Sequence, residues 1–259
     1  MKPEPALVDA MFETHGVPGP WEVLPATGVA NHIFATRDVV LRVATDHRDG
    51  FSDARTESIA APVARAAGIL TPRLVAFDDT RTLVDRPFSL WERVHGETLG
   101  TANLSDFATA RVWRSIGREL ARIHLRVREC PDPNDYLDEP ARQHDLGRSL
   151  NRLAEAGTLD LDTATRVEEF ARALRSQAAE PLGRHLIHDD VSSMNVMCTT
   201  AGELLAIIDW GDAGWGDPSL DFAAMPLAAV PAALAGHEEE APGMLGTCPH
   251  ARVSAPPAE

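Results

Sequence analysis

The chain has 259 residues, 44% of them apolar, which is material for one large domain or two packed lobes. With 24 Lys and Arg against 39 Asp and Glu, the formal charge is −15. That argues against a phosphate-neutralising nucleic-acid surface, and no run of about 18 apolar residues predicts a membrane span. The opening Met1-Lys2-Pro3-Glu4-Pro5 lacks the layout of a secretory leader. Cys130, Cys198 and Cys248 are odd in number and share no metal-ligand spacing. Free thiols in a reducing cytoplasm are the simplest expectation. The acidity has two readings: a field that attracts a cationic small substrate, or a surface that only keeps the chain soluble.

In chain order, Ile33 to Val43 reads as two short β-rich runs with a turn at Arg37-Asp38. A helical stretch from Ser52 to Ala67 stops at Gly68, and Pro62 inside it predicts a kink or two consecutive pieces. Arg73 to Phe77 and Phe88 to Trp91 are further strand candidates. From Ser105, a plausible N-cap, the pattern turns helical. Trp113, Ile116, Leu120, Ile123 and Val127 mark the stripe of a helix with one buried face. Cys130 to Gln143 reads as an irregular connection. Val167, Phe170 and Leu174 suggest another helix, capped by Asp162. Asn195 to Cys198 and Leu204 to Ile208 flank Thr200-Ala201-Gly202 as a β-hairpin. Residues 228–240 could begin a helix, the Pro-rich end reads as disordered, and no internal repeat is present.

The informative segment runs from His188 to Asp221. It reads His188-Asp189-Asp190-Val191-Ser192-Ser193-Met194-Asn195, then Ile207-Ile208-Asp209-Trp210-Gly211 across the hairpin, then Gly216-Asp217-Pro218-Ser219-Leu220-Asp221. Singly, Asp and Asn in loops cap helices or close turns. Jointly they meet the needs of phosphoryl transfer, whose catalysis is mainly positioning and charge screening. One carboxylate orients the acceptor hydroxyl and takes its proton. An amide oxygen and a second carboxylate offer magnesium the hard oxygen ligands that it prefers.

These residues resemble the aminoglycoside phosphotransferase and choline kinase superfamily, relatives of the protein kinases. The resemblance spans about residues 20–235 and is densest at 188–221. It implies an α+β, two-lobed protein-kinase-like fold with a small β-rich N-lobe (1–94), a mainly helical C-lobe (95–240) and a poorly ordered tail (241–259). It implies Asp190 as catalytic base, Asn195 and Asp209 as Mg2+ ligands, and His188 as a brace of the loop. Asp217 and Asp221 would brace the lobe rather than touch substrate. Residues 27–34 resemble the nucleotide-covering loop, placing Gly28 and Asn31 near the phosphates of ATP or GTP, although a plain hairpin turn reads the same way. Arg42 stands where this superfamily puts its phosphate-binding cation. Glu57, fifteen residues before Pro72, stands where its ion-pair partner falls; a solvated helix carboxylate is the alternative. Glu92 and Val94 would offer backbone groups to the adenine edge. His124 would be a packing histidine beneath the catalytic loop.

Asp189 stands where the family commonly has Gly, so it either raises the pKa of Asp190 by like-charge repulsion or faces solvent. Ser192-Ser193 replaces the family's His-Pro. The expected activity is phosphoryl transfer to a hydroxyl of a small molecule, an aminoglycoside-like antibiotic fitting the acidity best, with choline, sugar or amino-alcohol acceptors open. The competing expectation is a nucleotide-binding protein without transfer activity, motivated by the short Pro-rich end together with Asp189. No nucleic-acid or membrane partner is expected, and the chain would be a monomer or homodimer.

Overall fold

A computed structural model describes residues 2–25, 28–47, 49–137, 146–175 and 183–245. The chain opens with helix α1 (Pro5–Thr14), then β1 (Glu22–Leu24), β2 (Asn31–Ala35), β3 (Val39–Ala44), α2 (Gly50–Ala66), β4 (Leu74–Asp78) and β5 (Phe88–Glu92). These strands form one antiparallel sheet in the order β1-β2-β3-β5-β4. Alternation along a strand sends successive side chains to opposite faces. In β3, Leu41 and Val43 join Phe34, Phe88 and Leu90 against Val8, Met11 and Phe12 of α1. Arg42, between them, therefore points to the other face, where α2 lies. The sheet's turn and strands fall where the β-rich runs predict them.

Helix α2 is one continuous helix through Pro62, neither of two pieces. Proline forfeits one helical hydrogen bond. Burial of Ala60, Ala61 and Ala64 on both sides of it keeps the helix together.

The second lobe comprises β6 (Glu97–Thr98), α3 (Asp106–Arg126), α4 (Leu146–Glu155), α5 (Leu161–Arg175), β7 (His185–Ile187), β8 (Val196–Cys198), β9 (Leu204–Ile207), β10 (Gly214–Gly216), a 3-10 helix (Pro218–Phe222) and α6 (Val230–Glu240). Ser105 caps α3, its side chain accepting from the Ala108 N–H. The predicted stripe from Trp113 to Val127 is buried in the main core. Helices α3 and α6 approach so closely that a Cβ on Gly117 would overlap the Ala233 carbonyl, and one on Gly236 the Arg114 carbonyl. Outside that seam Arg114 and Arg118 pair with Glu239, and Arg122 with Glu240.

Helix α5 forms where its stripe predicts, with two differences. Its cap is Asp160, whose carboxylate accepts from the Thr163 N–H at 2.8 Å, and Asp162 lies inside the first turn. Its stripe of Val167, Phe170 and Leu174 is exposed, while Ala164 takes the buried side. The connection from Cys130 holds no helix or strand as far as residue 137; its remainder lies outside the described residues. Of the expected tail, residues 241–245 form turns after α6 and residues 246–259 lie outside the described residues. No described helix is long and apolar enough to cross a membrane.

Candidate active site

Strand β7 delivers the chain into the loop from His188 to Asn195, and the β8–β9 hairpin carries it on to Asp209. Val196 pairs with Ile207, and the Ile208 N–H donates to the Asn195 carbonyl at 2.9 Å. Asn195 and Asp209 therefore emerge at the same end of the hairpin. The Asn195 amide donates to the Asp190 carbonyl at 2.9 Å and to its carboxylate at 2.7 Å. Both bonds use Nδ2, so Oδ1 of Asn195 remains as an oxygen donor for a cation.

His188 ties the two loops together. Its Nδ1 accepts from the Asp190 N–H at 3.3 Å, which leaves Nε2 to donate to the Ile208 carbonyl at 3.0 Å. Its ring lies 4.6 Å from that of Trp210. Underneath, one oxygen of the fully buried Asp221 accepts from the N–H groups of His188 and Asp189 at 2.8 and 2.9 Å. The other oxygen meets His124 Nε2 at 2.8 Å. Strand β10 pairs with β7, which brings the 3-10 helix and Asp221 to this place. Asp217 caps that 3-10 helix by accepting from the Ser219 N–H.

Asp189 has φ of 62°, in the left-handed region that glycine enters most cheaply. Asp is among the few other residues that visit it routinely. The site of the family's usual glycine thus has a conformational reason. Asp209 is left-handed too, with φ of 66°.

Across the hairpin, Arg42 holds two carboxylates: Nη1 meets Glu57 and Nη2 meets Asp209, each at 2.5 Å. The first pairing is the predicted one. The second was not legible in the sequence, because nothing local links residues 42 and 209. The Trp210 N–H also donates to Glu57. Burial pushes the Glu57 carboxyl up to about 7, against the pull of Arg42 and with the repulsion of Asp209. Asp209 is held below the usual carboxylate range: burial opposes its charge, and Arg42 outweighs burial. Arg42 is held protonated beyond its ordinary range; burial disfavours its charge, and Asp209 and Glu57 overcome that.

The Asp190 carboxyl is raised, first by burial and then by Asp212 and Asp209, against the pull of His188 and the Asn195 hydrogen bond. The leading repulsion thus comes from Asp212, a residue that sequence reasoning passed over although it lies three positions after Asp209. Asp53, on the first turn of α2, is a second one: a Cβ on Gly211 would strike it, so α2 and the Asp209 loop are in contact.

Asp190, Asn195, Asp209, Arg42 and Glu57 belong to one connected network. Gly28, Asn31, Glu92 and Val94 lie outside it. Gly28 is exposed, with nothing among the described residues within 4 Å of a Cβ built there. Thr27 lies outside the described residues, and Asn31 opens β2, opposite Ala44. Glu92 ends β5; its N–H donates to the Arg73 carbonyl at 2.9 Å and its side chain meets Arg65 at 3.6 Å. Among the described residues no group of three or more His, Cys, Asp or Glu could hold a metal ion by itself.

A small antiparallel sheet over a helical lobe, with a carboxylate–amide loop facing an arginine-held aspartate, is the architecture of the protein-kinase-like phosphotransferases. A model of the phosphotransferase enzyme family matches residues 26–245. The chain belongs to that family and is a small-molecule phosphotransferase. No curated protein matches it in sequence. Among solved structures, a choline/ethanolamine kinase family protein from Mesorhizobium loti is 19% identical, with a TM-score of 0.62 over 90% of this chain and 76% of that one. The GDP complex of aminoglycoside 2'-phosphotransferase-IIIa is 18% identical, with a TM-score of 0.60 over 92% and 83%. The streptomycin–ATP complex of APH(2")-IIa is 17% identical, with a TM-score of 0.59 over 92% and 83%. At these identities the likeness carries the two-lobed fold.

Proposed function

We propose that this chain transfers the terminal phosphoryl group of ATP or GTP, with Mg2+, to a hydroxyl of an aminoglycoside-like cationic acceptor. The nucleotide lies between an N-lobe of residues 1–94 and a C-lobe of residues 95–240, and the acceptor rests on the C-lobe. Asp190 takes the proton of the attacking hydroxyl, and its raised pKa brings it nearer to the operating pH of a general base. Asn195 Oδ1 and the Asp209 oxygen that Arg42 leaves uncovered are the protein's two hard-oxygen ligands. Two suffice, because Mg2+ usually keeps several waters and binds substrate phosphates. The ion, when bound, screens the charge of the transferred group. Arg42 faces the phosphates with a rigid planar fork that Lys would lack. Gly28 and Asn31 cover the phosphates with backbone groups. The N–H of Glu92 is committed to Arg73, so the adenine edge is left the Glu92 carbonyl and the backbone of Val94.

The observation that carries this reading is the double hydrogen bond from Asn195 to Asp190, set beside Asp209 by the Ile208–Asn195 bond. Asp190→Asn should lower kcat by roughly 10²-fold or more in steady-state transfer assays; undiminished turnover removes Asp190 from the mechanism. Asp209→Ala should abolish Mg2+-dependent nucleotide binding in calorimetric titration, and an unchanged affinity rules out the metal assignment. The likeness to a choline/ethanolamine kinase family protein favours a second reading, a choline, sugar or amino-alcohol acceptor. A panel of aminoglycosides and amino alcohols, scored for nucleotide consumption, separates the two. Free Cys130 and Cys198 fit a cytoplasmic setting, and burial pushes the Cys130 thiol up to about 11, out of reach of easy oxidation.

A further inference from the structure

Both oxygens of the buried Asp221 carboxylate are in use, one on the backbone of His188 and Asp189, the other on His124. A carboxylate gives no proton, so His124 must carry one on Nε2. In a neutral ring its Nδ1 is then an acceptor. His237 Nε2, from α6, meets that Nδ1 at 3.1 Å. His237 therefore donates from Nε2, and its own Nδ1 is left as a bare acceptor, buried and with no hydrogen-bond partner among the described residues.

An unmatched buried acceptor carries a desolvation cost that an apolar ring of similar shape would avoid. The ring is fully buried, packed edge-on against Phe222 at 5.8 Å between centroids. Its position is fixed by the backbone contact of α3 and α6 at Gly117 and Gly236. Burial brings its pKa down to about 4, which keeps it neutral at neutral pH. The brace has a specific load, because Asp189 occupies the left-handed region without being glycine, immediately before Asp190.

We propose that His237 is a positioning residue for phosphoryl transfer: its Nε2–H caps Nδ1 of His124 and fixes the pose of that ring, which holds Asp221 against the His188 and Asp189 amides and so aims Asp190. The claim that transfer is affected rests on Asp190 being the base; the claim about the hydrogen-bonded chain does not.

The test compares wild type, His237→Phe and His237→Gln. Phe keeps the ring and its burial and removes the donor. Gln restores an N–H at the place of Nε2. Ring 15N NMR of the wild type should show Nε2–H on both His124 and His237. In the Phe variant the His124 Nδ1 signal should move to that of an unbonded acceptor, and in the Gln variant it should return. ATP consumption with Mg2+, measured with and without gentamicin, should show kcat down roughly tenfold in the Phe variant, the scale of a misaimed group. KM for ATP should stay within about twofold, and Gln should restore most of kcat. A Nδ1–H proton on wild-type His237 overturns the proposal even if no variant folds. So does a folded Phe variant with unchanged kcat and an unchanged His124 signal. If the His124 Nδ1 signal shifts as expected while Asp190→Asn keeps full turnover, the hydrogen-bonded chain stands and the base assignment falls.

Discussion

The two sides of the site are built on opposite plans. On the Asp190 side every position is set by hydrogen bonds that need not change: Asn195 on the carboxylate, His188 between the loops, Asp221 beneath two amides. On the Asp209 side a single guanidinium serves two carboxylates, and its Nε is buried without a partner among the described residues. Under the proposed roles the first side is ready before substrate arrives. The second holds a placeholder: Arg42 neutralises Asp209 until a divalent ion and phosphates compete for both. Preorganisation belongs where a proton must be taken in line, and exchangeable charge belongs where a charged ligand must enter and leave.

The largest effect should come from taking that placeholder away. Arg42→Met leaves Glu57, 5% exposed, and Asp209 facing each other without a cation. Breaking a buried pair by removing one partner costs about 3–5 kcal/mol, so thermal unfolding at pH 8 should shift down strongly. At pH 5, where Glu57 is protonated, the loss should be smaller. An equal loss at both pH values would show that Glu57 is not the group left stranded.

A cleaner measurement isolates Glu57. Its carboxyl is raised from 4.5 to about 7 in the folded chain, so between those values the native state binds more protons than the unfolded state. The contribution to stability is full below about 4.5 and is lost as pH rises through about 7, amounting to on the order of 3 kcal/mol. Glu57→Gln should flatten that slope in urea titrations across pH 4.5–8. A slope unchanged by the substitution places the proton elsewhere.

The same contrast governs what was legible in the sequence. The Asp190 side is written locally: His188, Asp190 and Asn195 fall within one loop, and the hairpin that follows fixes where Asp209 returns. The stripe of α3 and its Ser105 cap were legible because a helix repeats its period. The Arg42–Asp209 contact was not, since it joins residues 167 positions apart through the packing of two lobes. Helix α1 was passed over although Leu7, Val8, Met11 and Phe12 carry helical spacing and Pro5 stands at its start. The α5 stripe shows the limit of periodicity, which predicts a helix without saying what covers its apolar face. Pro62 shows the limit of a local breaker, overruled by alanines buried on both sides of it.

The smallest effect concerns the residue that joins the two arguments. Asp189→Gly keeps the N–H that Asp221 accepts and removes both the left-handed strain and one negative charge. Relief of strain, set against the greater freedom of glycine in the unfolded chain, should leave stability within about 1 kcal/mol of wild type, on the favourable side. The acidic limb of the kcat/KM–pH profile should stay in place, because burial, Asp212 and Asp209 lead among the causes that raise Asp190. A limb displaced downward by about half a unit or more would show instead that Asp189 acts on the base through its charge. A stability loss beyond about 2 kcal/mol would mean that its carboxylate, and not only its backbone, supports the loop. Either result would shift part of the positioning of Asp190 from the buried scaffold beneath it to the side chain next to it.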